Sequence, residues 1–296
     1  MKKKYSPRLK QKQNICGWSF LLPAAILIMV MNFIPMIQAF VLSLQTGKGN
    51  MLHFAGLYNY KRLFQDKVFR QSILNCFIYL IIQVPIMLVL ALILASLLNN
   101  KHIHCKALFR TAIFLPCATS LVSYATIFRS LFATDGFINN VLVNLGILET
   151  GYEFLSHPAS ARMVIILALV WRWTGYNMVF YLAGLQNIDS SIYEAATIDG
   201  ASSGQIFRKI TVPLLKPTIL LTAIMSTAGT LQLFDESVNL TGGGPANATI
   251  TMSHYIYNTS FKFVPNFGYA SAMSYLIVVM VVILTFIQMR VGDKRE

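Results

Sequence analysis

Two stretches of 27 residues, Trp18–Leu44 and Ser72–Leu98, contain no Asp, Glu, Lys or Arg. A helix needs about 20 apolar residues to cross a hydrocarbon layer about 30 Å thick, so each run is long enough to span a bilayer. Inside lipid every backbone N–H and C=O must be satisfied by the protein itself, and a helix does this within one segment. A secretory signal has an apolar core of about 7–15 residues and a small-residue cleavage site. Trp18–Leu44 is too long and lacks that site, so it reads as a retained span, with Pro23 and Pro35 as the positions where it kinks.

The remaining sequence follows the same pattern. Only 12% of the 296 residues are charged and the mean hydropathy is +0.59, whereas a soluble domain carries roughly 25% charged residues. The chain is therefore expected to be an all-α integral membrane protein. Six spans are expected, at about 18–44, 72–98, 108–131, 161–186, 213–236 and 266–289, with a basic tail over 1–17 and a short tail over 290–296. The third has an uncharged core of only 18 residues, Thr111–Phe128, which the flanking Arg110 and Arg129 extend by snorkelling. The connection Gln45–Gln71 places Leu57, Tyr60, Phe64 and Val68 near helical spacing, as in an amphipathic helix lying on the membrane surface.

The net charge of +13 does not indicate nucleic acid, because the basic residues are scattered between apolar runs. Membrane orientation accounts for them better. With six spans both termini lie on one side, and that side holds 15 of the 24 Lys and Arg residues against eight on the other. The excess places the termini in the cytoplasm. The four cysteines show no CxxC spacing and read as small apolar residues. His102-x-His104-Cys105 fits no common zinc pattern, so no metal site is expected.

The longest polar interruption of the second half is Tyr193–Pro213, YEAATIDGASSGQIFRKITVP. Asp199-Gly200 and Ser202-Ser203-Gly204 are turn and cap residues. Pro213 is tolerated at the start of the next helix because its missing N–H is an orphan there. A short helix, a turn and a second short helix are expected, as a loop over 190–213 on the cytoplasmic side.

The spacing Glu194-Ala195-Ala196, Asp199-Gly200, Ile210, Val212-Pro213 resembles the EAA loop of ATP-binding-cassette importer permeases, with Val212 where the family usually has Leu. Gly56-Leu57, Asn59-Tyr60, Leu63-Phe64, the DGFINN stretch at 135–140, His157-Pro158 and Thr241-Gly242-Gly243-Gly244-Pro245 are similar to segments of the carbohydrate-uptake branch of that family. The resemblance runs from about Trp18 to Met289. It implies a type I importer permease and gives the chain several partners: a second, homologous permease in a heterodimer, two cytoplasmic ATPase subunits, an extracellular solute-binding protein and the surrounding lipid. It also implies that the loop docks in a cleft of the ATPase. Glu194 would be the partner of an ATPase Arg, Ala195 and Ala196 would let the helix seat closely, and Gly200 would make the turn. No Walker A pattern and no catalytic constellation occurs in the sequence. ATP and magnesium would then be held by the partner subunits, with no cofactor in this chain and no enzymatic activity of its own.

A solute path needs polar groups inside the bundle. Trp173, Thr174 and Asn177 share a helical face with Val170, and Ser226, Thr230 and Leu233 do the same on the next span. An aromatic plate beside amides and hydroxyls suits a sugar, whose C–H face packs on a ring. Such residues also serve helix–helix packing in membranes. Arg172, between two tryptophans in the fourth span, is expensive in lipid and is expected to face the bundle interior or a wet cavity. Asp235 either pairs with it or lies at the external rim. Rival functions are a permease for another solute (glycerol phosphate, a polyamine, an amino acid), to which Arg172 would suit an anionic group, and an ion-coupled secondary transporter.

Overall fold

The computed structural model describes residues 7–47, 52–100 and 103–292. Lys2, Lys3 and Lys4 of the basic tail, Lys101, His102, Lys294 and Arg295 lie outside the described residues. Among the described residues four helices are long and apolar enough to cross a membrane: Asn14–Ser43, Lys67–Asn99, Pro158–Gln186 and Phe267–Gly292. Two bent helix pairs raise the number to six if each counts as one span. The chain divides into two compact units, Met1–Arg62 with Thr259–Tyr275, and Leu63–Asn258 with Leu276–Glu296.

In the first unit, α1 (Pro7–Ile28) continues through a wide turn at Met29–Phe33 into α2 (Ile34–Ser43). The wide turn lies just before Pro35, which has no N–H for the carbonyl four residues back and whose ring would clash with it. Widening the turn relieves that clash without ending the helix. Pro23 sits inside α1 with no such break. A two-residue hairpin, β1 (Gln45–Thr46) with β2 (His53–Phe54), follows α2. Next comes α3 (Tyr58–Gln65), which buries Asn59 and Leu63 and leaves Phe64 exposed, as is Leu57 just before it. The Asn59 amide donates to the carbonyls of Ser43 (2.9 Å) and Gln45 (2.7 Å), so it satisfies acceptors where α2 ends. Tyr60 adds a 2.8 Å hydrogen bond to the Ser43 hydroxyl. The expected amphipathic stripe ends early, because Val68 belongs to the next helix.

In the second unit, α4 (Lys67–Asn99) starts five residues before the expected span. Asp66 caps it, its Oδ1 accepting from the N–H groups of Val68 (2.9 Å) and Phe69 (3.1 Å). The packing centre is α4 against α8 (Pro158–Gln186). On α4 the buried residues Cys76, Tyr79, Gln83, Met87, Ala91, Ala95 and Leu98 recur every three or four positions, a single stripe at helical period. Small residues set how closely the helices approach. A Cβ on Gly175 of α8 would sit 2.0 Å from the Ile113 carbonyl oxygen.

Spans three and five, expected at about 108–131 and 213–236, are not straight helices. The third consists of α5 (Lys106–Ala118) and α6 (Leu121–Leu131), bent by 97° at Thr119 and Ser120, both extended. Beyond α6 a short α7 (Phe137–Asn144) follows. In the fifth, Ser203–Leu214 is bent by 68° from Lys216–Leu231. Pro217 cannot donate to the carbonyl of Pro213 and would clash with it, so the helix cannot run through. The helix ends at Leu231 rather than at 236, and a separate turn over Ser237–Thr241 follows.

The Asn59 contacts generate a stability prediction. Asn59→Ala leaves two carbonyls unpaired and should cost about 1–3 kcal/mol, read as a lower unfolding midpoint of the detergent-solubilised protein. Tyr60→Phe, which removes one hydroxyl contact, should cost less. Equal midpoints for wild type and Asn59→Ala would show that the amide does not hold the end of α2.

Candidate functional site

A charge buried in an apolar bundle needs partners, and Arg172 on α8, 5% exposed, finds them at the break of the third span. Its Nη1 donates to the Pro116 carbonyl (3.3 Å) and the Thr119 hydroxyl (3.5 Å). Its Nη2 donates to the carbonyls of Cys117 (3.3 Å) and Thr119 (3.1 Å). The Cys117 and Thr119 carbonyls are acceptors at the end of α5, where a helix C-terminus favours a cation; the Pro116 carbonyl also accepts from the Thr119 N–H (3.4 Å) and hydroxyl (2.7 Å). The guanidinium also lies 4.9 Å from the Tyr124 ring centroid and 5.6 Å from that of Trp173. Arg172 therefore binds the broken backbone and makes no ion pair with Asp235.

Arg172 lines a cavity of about 450 Å³, together with Trp173, Asn177, Ser226, Thr230, Leu233 and Asp235. Seven of the eight residues expected along a solute path thus face one space. The eighth, Thr174, does not line it; its hydroxyl donates to the Val170 carbonyl at 2.6 Å within the helix. Trp173 meets Tyr176 edge to face at 5.7 Å, which makes an aromatic wall. Asn177 donates to the Trp173 carbonyl at 3.0 Å, and Thr230 donates to Gln83 Oε1 at 3.3 Å. Gln83, Tyr176 and Glu236 also line the cavity and were not foreseen. The signal for Gln83 was an amide in the middle of an uncharged apolar run, one helical step from Tyr79 and Met87.

The loop after α8 forms α9 (Ser190–Ile198) and α10 (Ser203–Leu214), as expected. Asp189 caps α9 by accepting from the Ser191 N–H at 3.0 Å. That bond holds its carboxyl below the ordinary Asp value. Its help to the loop is therefore complete above the ordinary carboxylate pKa and is lost as pH falls through the lowered one. At the other end the N–H of Gly200 meets the Thr197 carbonyl (3.1 Å) and that of Ala201 meets the Ala196 carbonyl (3.0 Å), a Schellman closure. It requires the left-handed backbone that Gly200 adopts at φ +77°. Ser202 and Gln205 then form a capping box for α10. Around this turn Glu194, Ala195, Asp199 and Pro213 are exposed, Ile210 is half-buried and Ala196 is buried. Ile198 is 86% exposed, an apolar side chain at the tip of a polar turn. The wide turn Phe207–Thr211 precedes Pro213, repeating the arrangement before Pro35.

The glycine-rich stretch at 242–244 is filled by its own neighbours. Ser237 bonds the Thr249 carbonyl (2.9 Å) and the His254 ring (2.8 Å), and Thr249 donates to the Gly244 carbonyl (2.6 Å). Asn75 and Arg162 hold the same loop from α4 and α8 through the carbonyls of Asn247, Ile250 and Ala248. It is a braced connection rather than a phosphate cradle. In the other long connection, Asn139 of the DGFINN stretch bridges the carbonyls of Ala133 (2.8 Å) and Tyr152 (2.9 Å). No three His, Cys, Asp or Glu side chains gather to hold a metal among the described residues.

Comparison with known proteins matches residues 66–295 to the family described as binding-protein-dependent transport system inner membrane component. The lactose transport system permease protein LacF of Rhizobium radiobacter is 52% identical over 97% of both chains. The arabinooligosaccharides transport system permease protein AraP of Halalkalibacterium halodurans is 31% identical over 94% of this chain and 87% of its own. A chain of a bacterial alginate ABC transporter, crystallised with an alginate pentasaccharide-bound periplasmic protein, shares the fold with TM-score 0.83 at 22% identity, covering 96% of each chain.

The bonding of Arg172 sets a second prediction. Arg172→Met leaves the Cys117 and Thr119 carbonyls without their donor and should cost about 1–3 kcal/mol for each, read as a lower unfolding midpoint. In a background with Cys16 and Cys105 replaced by Ser, maleimide should also label the half-buried Cys117 faster. Arg172→Lys, which keeps the charge without the fork, should fall between. Unchanged midpoint and labelling in Arg172→Met would show that the break does not depend on this residue.

Proposed function

The chain belongs to the binding-protein-dependent transport system inner membrane components, and from that premise we propose that it is one of two permease subunits of a bacterial importer for a sugar or oligosaccharide. The importer would draw its energy from ATP hydrolysis on two separate ATPase chains docked at the α9–α10 loop, and would receive its solute from an extracellular binding protein. The chain itself carries no cofactor and performs no chemistry; ATP and magnesium belong to the ATPase chains. Its six spans cross the cell membrane with both termini in the cytoplasm, an orientation supported by the distribution of Lys and Arg.

The cavity carries the solute reading. Its aromatic wall at Trp173 and Tyr176 lies beside the amides of Gln83 and Asn177 and the hydroxyls of Ser226 and Thr230. A sugar ring offers a C–H face to the first group and hydroxyls to the second. The names of the lactose and arabinooligosaccharide relatives support the same solute class. The coupling reading is supported by the exposed face of α9. Glu194 offers a carboxylate to a cationic partner, and Ile198 offers an exposed apolar side chain beside it. Transport would then be a two-state exchange of access to the cavity, driven by the ATPases through this loop as a rigid body.

Glu194→Lys should abolish uptake in cells while the protein stays at wild-type level in the membrane fraction. Wild-type uptake by that variant would remove the docking role of Glu194. Trp173→Ala should lower solute-stimulated turnover far more than basal ATP hydrolysis of the assembled transporter. Equal loss of both would assign Trp173 to packing alone.

A further inference from the structure

The charge at the cavity differs from what its most conspicuous residue suggests. An arginine in a solute path usually invites a carboxylate or phosphate, bound by two parallel N–H donors. In Arg172 all four terminal N–H groups are engaged by Pro116, Cys117 and Thr119. Only Nε is left, and it is buried without a partner. A single donor cannot form the two-pronged contact, and turning the guanidinium toward a ligand would release the carbonyls that close the α5–α6 break. The cation belongs to the backbone.

The other charged groups lining the cavity are Asp235 and Glu236, and its lining contains no lysine or histidine. One cation therefore faces two carboxylates. Even with Glu236 counted as neutral, Asp235 balances Arg172 and no uncompensated positive charge remains. An acidic solute would enter beside a like charge, in a space where the apolar wall of Leu121, Leu169 and Met225 weakens solvent screening. A neutral hydroxyl, by contrast, can donate to the Asp235 carboxylate.

We propose that Asp235 and Glu236 make this cavity selective for uncharged saccharides and exclude uronic acids and sugar phosphates, while Arg172 serves as a positioning residue and not as an anion receptor. The inference rests on the sugar-importer reading and names its substrate class. It also rejects the anionic solute that Arg172 invites on sequence alone.

The test uses the assembled transporter in detergent without its binding protein, so that selection upstream does not intervene. Equilibrium dialysis measures binding of lactose, maltose and cellobiose, each paired with its counterpart oxidised to a carboxylate at one primary hydroxyl. The tightest neutral sugar should bind at least about 10-fold more tightly than its own uronate, about 1.4 kcal/mol. Asp235→Asn or Glu236→Gln should bring that ratio to within about 3-fold by improving uronate binding. A uronate that binds as tightly as its neutral parent, or a ratio unchanged in both variants, overturns the proposal and leaves the sugar-importer reading standing. Binding of no member of the panel contradicts the sugar reading itself and the proposal with it.

Discussion

A helix that stops inside an apolar bundle leaves its last carbonyls without water to bond, and this chain meets that constraint at the end of α5. Arg172 reaches across from α8 and donates to three carbonyls between Pro116 and Thr119 and to the Thr119 hydroxyl. Either half of the arrangement would be costly alone: the charge without acceptors, the carbonyls without donors. Together they allow a 97° bend in a segment whose length and composition otherwise suit a straight span. The bend carries Leu121 to the cavity wall, beside the residues that α8 and the fifth span contribute.

Irregular backbone in a membrane protein is tolerated where protein covers it or where it borders a cavity. The interruptions in this chain follow that rule. Gln232 and Leu233, just beyond the early end of the fifth span, line the same space as Trp173 and Asn177. At Pro35 and Pro213 the chain widens a helical turn instead of breaking it. At Pro217 it bends outright, next to the loop that the coupling argument uses. The prolines thus leave the cavity and the α9–α10 loop on separate elements, joined by a short helical segment with a defined bend.

Much of this was legible in the sequence, for local reasons. Gly200 and Ser202 read as a turn and a cap, and their bonds are made within a few residues. Trp173 and Asn177 on one span, and Ser226 and Thr230 on another, could each be grouped by helical spacing, because a face is a property of one helix. What depended on neighbouring helices was not legible. The spacing that selected Trp173 also selected Thr174, whose hydroxyl turns back onto its own helix. The bend at Thr119–Ser120 depends on an arginine more than 50 positions away. Asn59 looked like one polar residue of an amphipathic loop, yet it holds the end of α2. Arg172 itself was read correctly as facing the interior, but its charge suggested a ligand or Asp235 where the structure gives it backbone.

The account stands or falls on whether this chain works as one membrane part of an ATP-driven assembly. The most direct measurement is gentle detergent purification of the tagged chain from its native membrane, with mass spectrometry of what accompanies it. The account predicts an ATPase and a second six-span permease in fixed proportion to the tagged chain. Recovery of the chain alone or as a homodimer, still transporting in vesicles without ATP, would contradict it.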